Sequence, residues 1–75
     1  MRLETFVDGM KRRGYETAPP LPTGNVTATK GETTVRWLHT DHEKIYVETP
    51  DIKMLIPPKV SDTETFRLLD CLVQP

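Results

Sequence analysis

His39, Asp41, His42 and Glu43 crowd two imidazoles and two carboxylates into one short stretch. Such groups are the raw material of a metal site or of general acid–base catalysis. A metal needs side chains that converge on a point, usually with further ligands from elsewhere in the chain. Here the strand pattern puts His39 on the core face of a strand end and His42 at a loop tip. Asp41 and Glu43 are ordinary turn residues. No cysteine lies near in sequence. The expectation is no metal site, no cofactor site and no catalytic residue.

Nucleophilic chemistry would need Ser61, Cys71 or a threonine beside a base. Ser61 stands three residues before Glu64, the spacing of a capping box, in which both side chains satisfy free amide hydrogens at a helix start. Cys71 lies in an apolar helical stretch, where a thiol serves packing. Neither GxxxxGK[ST] nor GxGxxG occurs. Carboxylates are numerous, but none is paired at a spacing that suggests acid–base work.

The elements that position these residues can be read from the same pattern. The chain has 75 residues and fits one domain. A domain of this size buries only about 60% of its unfolded surface, so its stability is thin without a partner. Leu3, Phe6, Val7 and Met10 have the i, i+3, i+4, i+7 spacing of one helical face. The helix is expected over about 2–13, with Gly14 closing it in the left-handed conformation. Gly9 inside it costs roughly 1 kcal/mol relative to alanine and signals close packing. Pro19, Pro20 and Pro22 make 15–24 a stiff connector over the core, a reading preferred to an SH3 ligand despite the PxxP spacing.

Four strand-like runs follow, over about 25–56. Gly31-Glu32 is a two-residue turn of the II′ kind and pairs Ala28 with Val35 and Val26 with Trp37. A three-residue loop at Asp41-His42-Glu43 pairs Trp37 with Val47 and His39 with Ile45. Pro50-Asp51 pairs Val47 with Met54 and Ile45 with Ile56. One face then collects Val26, Ala28, Val35, Trp37, Ile45, Val47, Ile52, Met54 and Ile56. A four-residue middle loop would instead bring Trp37, His39 and Tyr46 together on the other face. A last helix over about 62–73 presents Phe66, Leu69, Leu72 and Val73, with Asp70 unfavourably near the negative end of its dipole. The predicted fold is α+β, a two-layer α-β-β-β-β-α antiparallel meander with both helices on one face. A frayed first strand would leave three strands.

This register leaves an uncovered sheet face. One predicted row is Asn25, Leu38, Tyr46 and Leu55; the next is Thr27, Arg36, Glu48 and Lys53. In the second row a central glutamate flanked by two cations forms cross-strand charge pairs. The first row is an apolar patch with a phenol at its centre. It reads either as cross-strand packing or as an interaction site.

The order helix–strands–helix resembles double-stranded RNA-binding domains and HicA-type ribonuclease toxins in topology. The former carry a lysine-rich start to the last helix. Here Ser61-Asp62-Thr63-Glu64 is acidic. The latter carry Gly-Ser/Thr-His on a strand, where this chain has Trp37-Leu38-His39. No site residue is carried over from either family.

With 10 basic and 11 acidic residues, the net charge of −1 argues against a general nucleic-acid binder. Lys11, Arg12 and Arg13 form the only dense basic cluster, and a helix C-terminus explains them. The N-terminal apolar residues are interrupted by Glu4, Asp8 and Lys11, which fits neither a signal peptide nor a membrane span. A lone cysteine fits a reducing compartment, so a cytoplasmic protein is expected.

The first functional expectation is a small non-enzymatic module that binds another protein through Leu38, Tyr46, Leu55, Arg36 and Lys53. A compact near-neutral domain fits an inhibitor or adaptor of the kind phages and mobile elements encode, including inhibitors of bacterial immune nucleases. Self-association as a homodimer through the same face is a close variant. The alternative is a nucleic-acid-binding protein or small ribonuclease, with Arg36, Lys44 and Lys53 on phosphate and His39 or His42 as the acid–base group.

Overall fold

A computed structural model describes residues 1–72. The elements are α1 (Leu3–Arg12), β1 (Glu16–Thr17), β2 (Val26–Lys30), β3 (Thr33–Leu38), a 3-10 turn at His39–Asp41, β4 (Lys44–Glu48), β5 (Lys53–Ile56) and α2 (Asp62–Leu72). The five strands form an antiparallel meander in the order β1-β2-β3-β4-β5. The fold is α+β, with one more strand than the four expected.

α1 ends as its sequence predicts. Gly14 has φ +83°, its amide donates to the Lys11 carbonyl (3.1 Å), and the Tyr15 amide donates to the Met10 carbonyl (3.0 Å). This pair of bonds is the Schellman closure. It turns the chain so that Tyr15 enters the core and Glu16 and Thr17 lie along β2. The Ala18 amide still donates to the Thr27 carbonyl (2.9 Å). Pro19 then has no N–H to give, which ends the pairing. The connector over 15–24 therefore begins as a short strand.

The β2–β3 turn is as read from the sequence. Val26 opposes Trp37, Ala28 opposes Val35, and of the two loop residues only Gly31 has positive φ (+58°). The β4–β5 pairing is also as read, with Val47 opposite Met54 and Ile45 opposite Ile56.

The middle connection differs. β3 stops at Leu38, and residues 39–43 form a loop of a 3-10 turn followed by His42 (φ 54°) and Glu43 (φ 60°), both left-handed. Trp37 therefore pairs with Ile45 rather than Val47, and His39 lies outside the ladder. The shift is two residues. Side chains alternate with period two, so every inward residue of β3 and β4 stays inward.

The core contains Phe6, Met10, Tyr15, Val26, Ala28, Val35, Trp37, Ile45, Val47, Ile56 and Leu69 as one cluster. Residues of both helices thus join side chains from a single face of the sheet. Leu3, Val7, Met54, Phe66 and Leu72 pack against this cluster half-buried. Ile52, expected among the inward residues, is 36% exposed because it lies in the turn between β4 and β5, where its carbonyl accepts from the Thr49 amide. Val73 lies outside the described residues. Trp37 is inside, and its indole N–H donates to the Met1 carbonyl (2.8 Å).

At α2 the Ser61 hydroxyl oxygen accepts from the Glu64 amide (3.2 Å). The reciprocal arm of the capping box is replaced, because the Glu64 carboxylate pairs with Arg67 (2.6 Å). No helix among the described residues is long and apolar enough to cross a membrane.

Candidate functional site

The outward side chains of β2–β5 follow from the corrected register. One row runs Thr27, Arg36, Tyr46, Leu55; its neighbour runs Thr29, Thr34, Glu48, Lys53 and reaches Glu16 on β1; Leu38 stands opposite Lys44. The expected row of Leu38, Tyr46 and Leu55 is therefore broken. Leu38 has moved to a diagonal position from Tyr46, and Arg36 has taken the place beside the phenol. Diagonal neighbours remain within reach of long side chains. Asn25 precedes β2 and lies outside this row.

The second expected row is rearranged by the same shift. Arg36 does not face Glu48, and Lys53 faces it without an ion pair. Instead the Tyr46 hydroxyl donates to Glu48 Oε1 (2.9 Å). These two residues are on one strand and one face, two positions apart. The hydrogen bond to Glu48 raises the Tyr46 phenol above its ordinary value, desolvation and the Glu48 charge add to this, and Arg36 opposes it. The phenol stays protonated at neutral pH and is held in one orientation.

Among the described residues neither Arg36 nor Lys53 forms an ion pair, whereas Lys44 pairs with Asp41 (3.1 Å). Arg36, Lys53 and Leu55 are exposed, Leu55 at 48%. Leu38, Lys44, Tyr46 and Glu48 are half-buried. The face therefore presents a fixed phenol, an open leucine and two free cations.

The His39–Glu43 cluster does not converge. The His39 ring lies against Trp37, with centroids 5.5 Å apart, and close over Gly24. Asp41 is turned to Lys44, and Glu43 Oε2 is 3.7 Å from the Met1 ammonium. Among the described residues no three His, Cys, Asp or Glu side chains come together to hold a metal ion. His39 sits beside Trp37, an inward residue, while Arg36, Lys44 and Lys53 point outward. The alternative nucleic-acid set is thus split between the 39–43 loop and the outer face of the sheet.

A concave feature between the helices had no sequence signal. A groove of about 500 Å³ between the helices is lined by residues that include Gly9, Arg12, Arg13, Phe66, Arg67 and Asp70. Its arginines are already engaged: Arg12 with Asp8 (3.1 Å), Arg13 with Asp70 (2.7 Å) and Arg67 with Glu64 (2.6 Å). Its floor is the contact between Gly9 and the Phe66 ring, which a Cβ at position 9 would overlap. The groove is the seam of the helix pair; Arg13–Asp70 crosses it, while Arg12 and Arg67 are each paired within their own helix.

Comparison of the chain with protein-family models, with curated protein sequences and with solved structures gives no match.

Proposed function

We propose that this protein is a small non-enzymatic binding module, of the inhibitor or adaptor kind, that engages another protein through its outer sheet face. The observation that carries the reading is the Tyr46 row. A phenol fixed by Glu48 lies between Arg36 and the exposed Leu55, on the side of the sheet away from the core. Tyrosine and arginine are enriched at the energetic centres of interfaces, where a pre-ordered aromatic costs little entropy on binding. The edges of the sheet are poor alternatives. β1 has two residues, and β5 has four and is followed by Pro57 and Pro58. Short, proline-bounded edges resist strand addition.

The test is an affinity capture from host lysate with the wild type and with Tyr46→Ala/Leu55→Glu, after circular dichroism shows both folded. A protein retained by the wild type and lost with the double variant supports the reading. Equal recovery removes the outer face from consideration.

A further inference from the structure

We infer that the partner of the outer face is an acidic protein surface whose carboxylates flank an apolar side chain. This rests on the sheet-face reading and adds the chemistry of the occupant.

The inference comes from what the register does to charge. Arg36 and Lys53 lie on either side of Tyr46 and Glu48, on β3 and β5, and neither has an ion-pair partner among the described residues. Glu48 is the carboxylate between them, and one of its oxygens accepts the Tyr46 hydroxyl. Lys44 adds a third cation near Leu38, although Asp41 holds it. Around Tyr46, Arg36 and Lys53 outnumber the one carboxylate, Glu48, while Asp41 neutralises Lys44. Glu16 stands at the far edge of the same face, opposite Thr29, so this part of the face is weakly positive on a chain whose net charge is −1. Complementary potential steers encounter and rejects like-charged partners. Leu55, at 48% exposure beside the phenol, supplies an apolar contact that carboxylates alone would leave unfilled.

Two other occupants fit less well. A second copy laid face to face would bring the same free cations against this surface. A nucleic acid presents one charge per about 1.7 Å of duplex, and its binders neutralise several phosphates. Two free cations with Glu48 between them do not make such a track.

The experiment uses the intact protein and a displayed library of random peptides, with a fluorescent single-stranded RNA oligonucleotide as a second probe. Arg36→Glu/Lys53→Glu and Tyr46→Ala/Leu55→Glu are measured alongside the wild type, each checked by circular dichroism. The expected result is selected peptides rich in Asp and Glu beside a large apolar residue. Their affinity should fall roughly tenfold or more in the charge-reversed protein, more at low salt than at high salt, and recover when the peptide carboxylates are replaced by lysine. Peptides without carboxylates that are lost only with Tyr46→Ala/Leu55→Glu would overturn the acidic partner and leave the sheet-face reading standing. Binders unaffected by either double variant, or no binders at all, would overturn both. RNA binding that is lost on charge reversal would replace the acidic protein with a polyphosphate.

Discussion

Arg13 and Asp70, 57 positions apart in the chain, form a two-point ion pair: Nε to Oδ1 at 2.7 Å and Nη2 to Oδ2 at 3.2 Å. The same guanidinium lies 4.4 Å from the centre of the Phe66 ring, and its Nη1 donates to the Gly9 carbonyl (3.1 Å). One side chain thus joins the end of α1 to the end of α2. It also accounts for Asp70 at the wrong end of a helix dipole, since the fork supplies what the dipole withholds. Arg13→Ala should lower stability by about 1 kcal/mol, the sum of a partly exposed pair and a cation over a ring. Arg13→Lys should recover only part of this, because an ammonium cannot make the two-point contact. Urea denaturation of the three proteins measures both.

The same pair sets a pH dependence. The hydrogen bond from Arg13 holds the Asp70 carboxyl below its ordinary value of 3.8; burial opposes this, and the charges of Arg13 and Lys30 add to it. A carboxyl whose folded pKa is depressed adds stability that is present above the unfolded value. That stability disappears as pH falls through the folded value. Asp70→Asn should therefore be less stable than the wild type at pH 7, by under about 1 kcal/mol for so exposed a group. The difference should close as the pH falls below the ordinary carboxylate value. Paired melts across the acid range follow it. A gap that persists in acid would assign the effect to packing instead.

Alternation made most of the sheet legible. Val26, Ala28, Val35, Trp37, Ile45 and Val47 identify the inner face from spacing alone, and Gly31 identifies its turn because the first position of that turn rejects a Cβ. The loop over 39–43 was not legible for the converse reason. Its two left-handed residues are His42 and Glu43, and no glycine marks them. The two-residue error kept the core intact and rearranged the outer face, where Arg36 replaced Leu38 beside Tyr46. β1 escaped notice because two residues carry no period. The Arg13–Asp70 fork has no local signature at all.

Gly9 was legible as a close-packing position, but its partner Phe66 was not. A Cβ at position 9 would overlap that ring, so Gly9→Ala forces the ring or the helix to move. The gain in helix propensity is about 1 kcal/mol, against an overpacking cost of about 1–3 kcal/mol. The net expectation is destabilisation. Pairing Gly9→Ala with Phe66→Leu should cost less than the sum of the two single changes, because the leucine leaves room for the methyl group. A double-mutant cycle reads this coupling directly. Additivity would place the ring elsewhere.

The left-handed pair in the middle loop makes the opposite kind of prediction. A non-glycine residue in that conformation carries a cost of roughly 1–2 kcal/mol. His42, with φ 54° and ψ 35°, is exposed, whereas Glu43 approaches the Met1 ammonium. His42 is therefore the residue to change. His42→Gly removes the strain but gives the unfolded chain more freedom, which returns part of the gain. A net stabilisation of about 0.5–1 kcal/mol should appear as a higher urea midpoint with unchanged slope. Because the loop is separate from the Arg36–Tyr46–Leu55 row, this variant should bind the selected peptides as the wild type does. A loss of peptide binding at unchanged stability would move the contact surface from the open face to the loop.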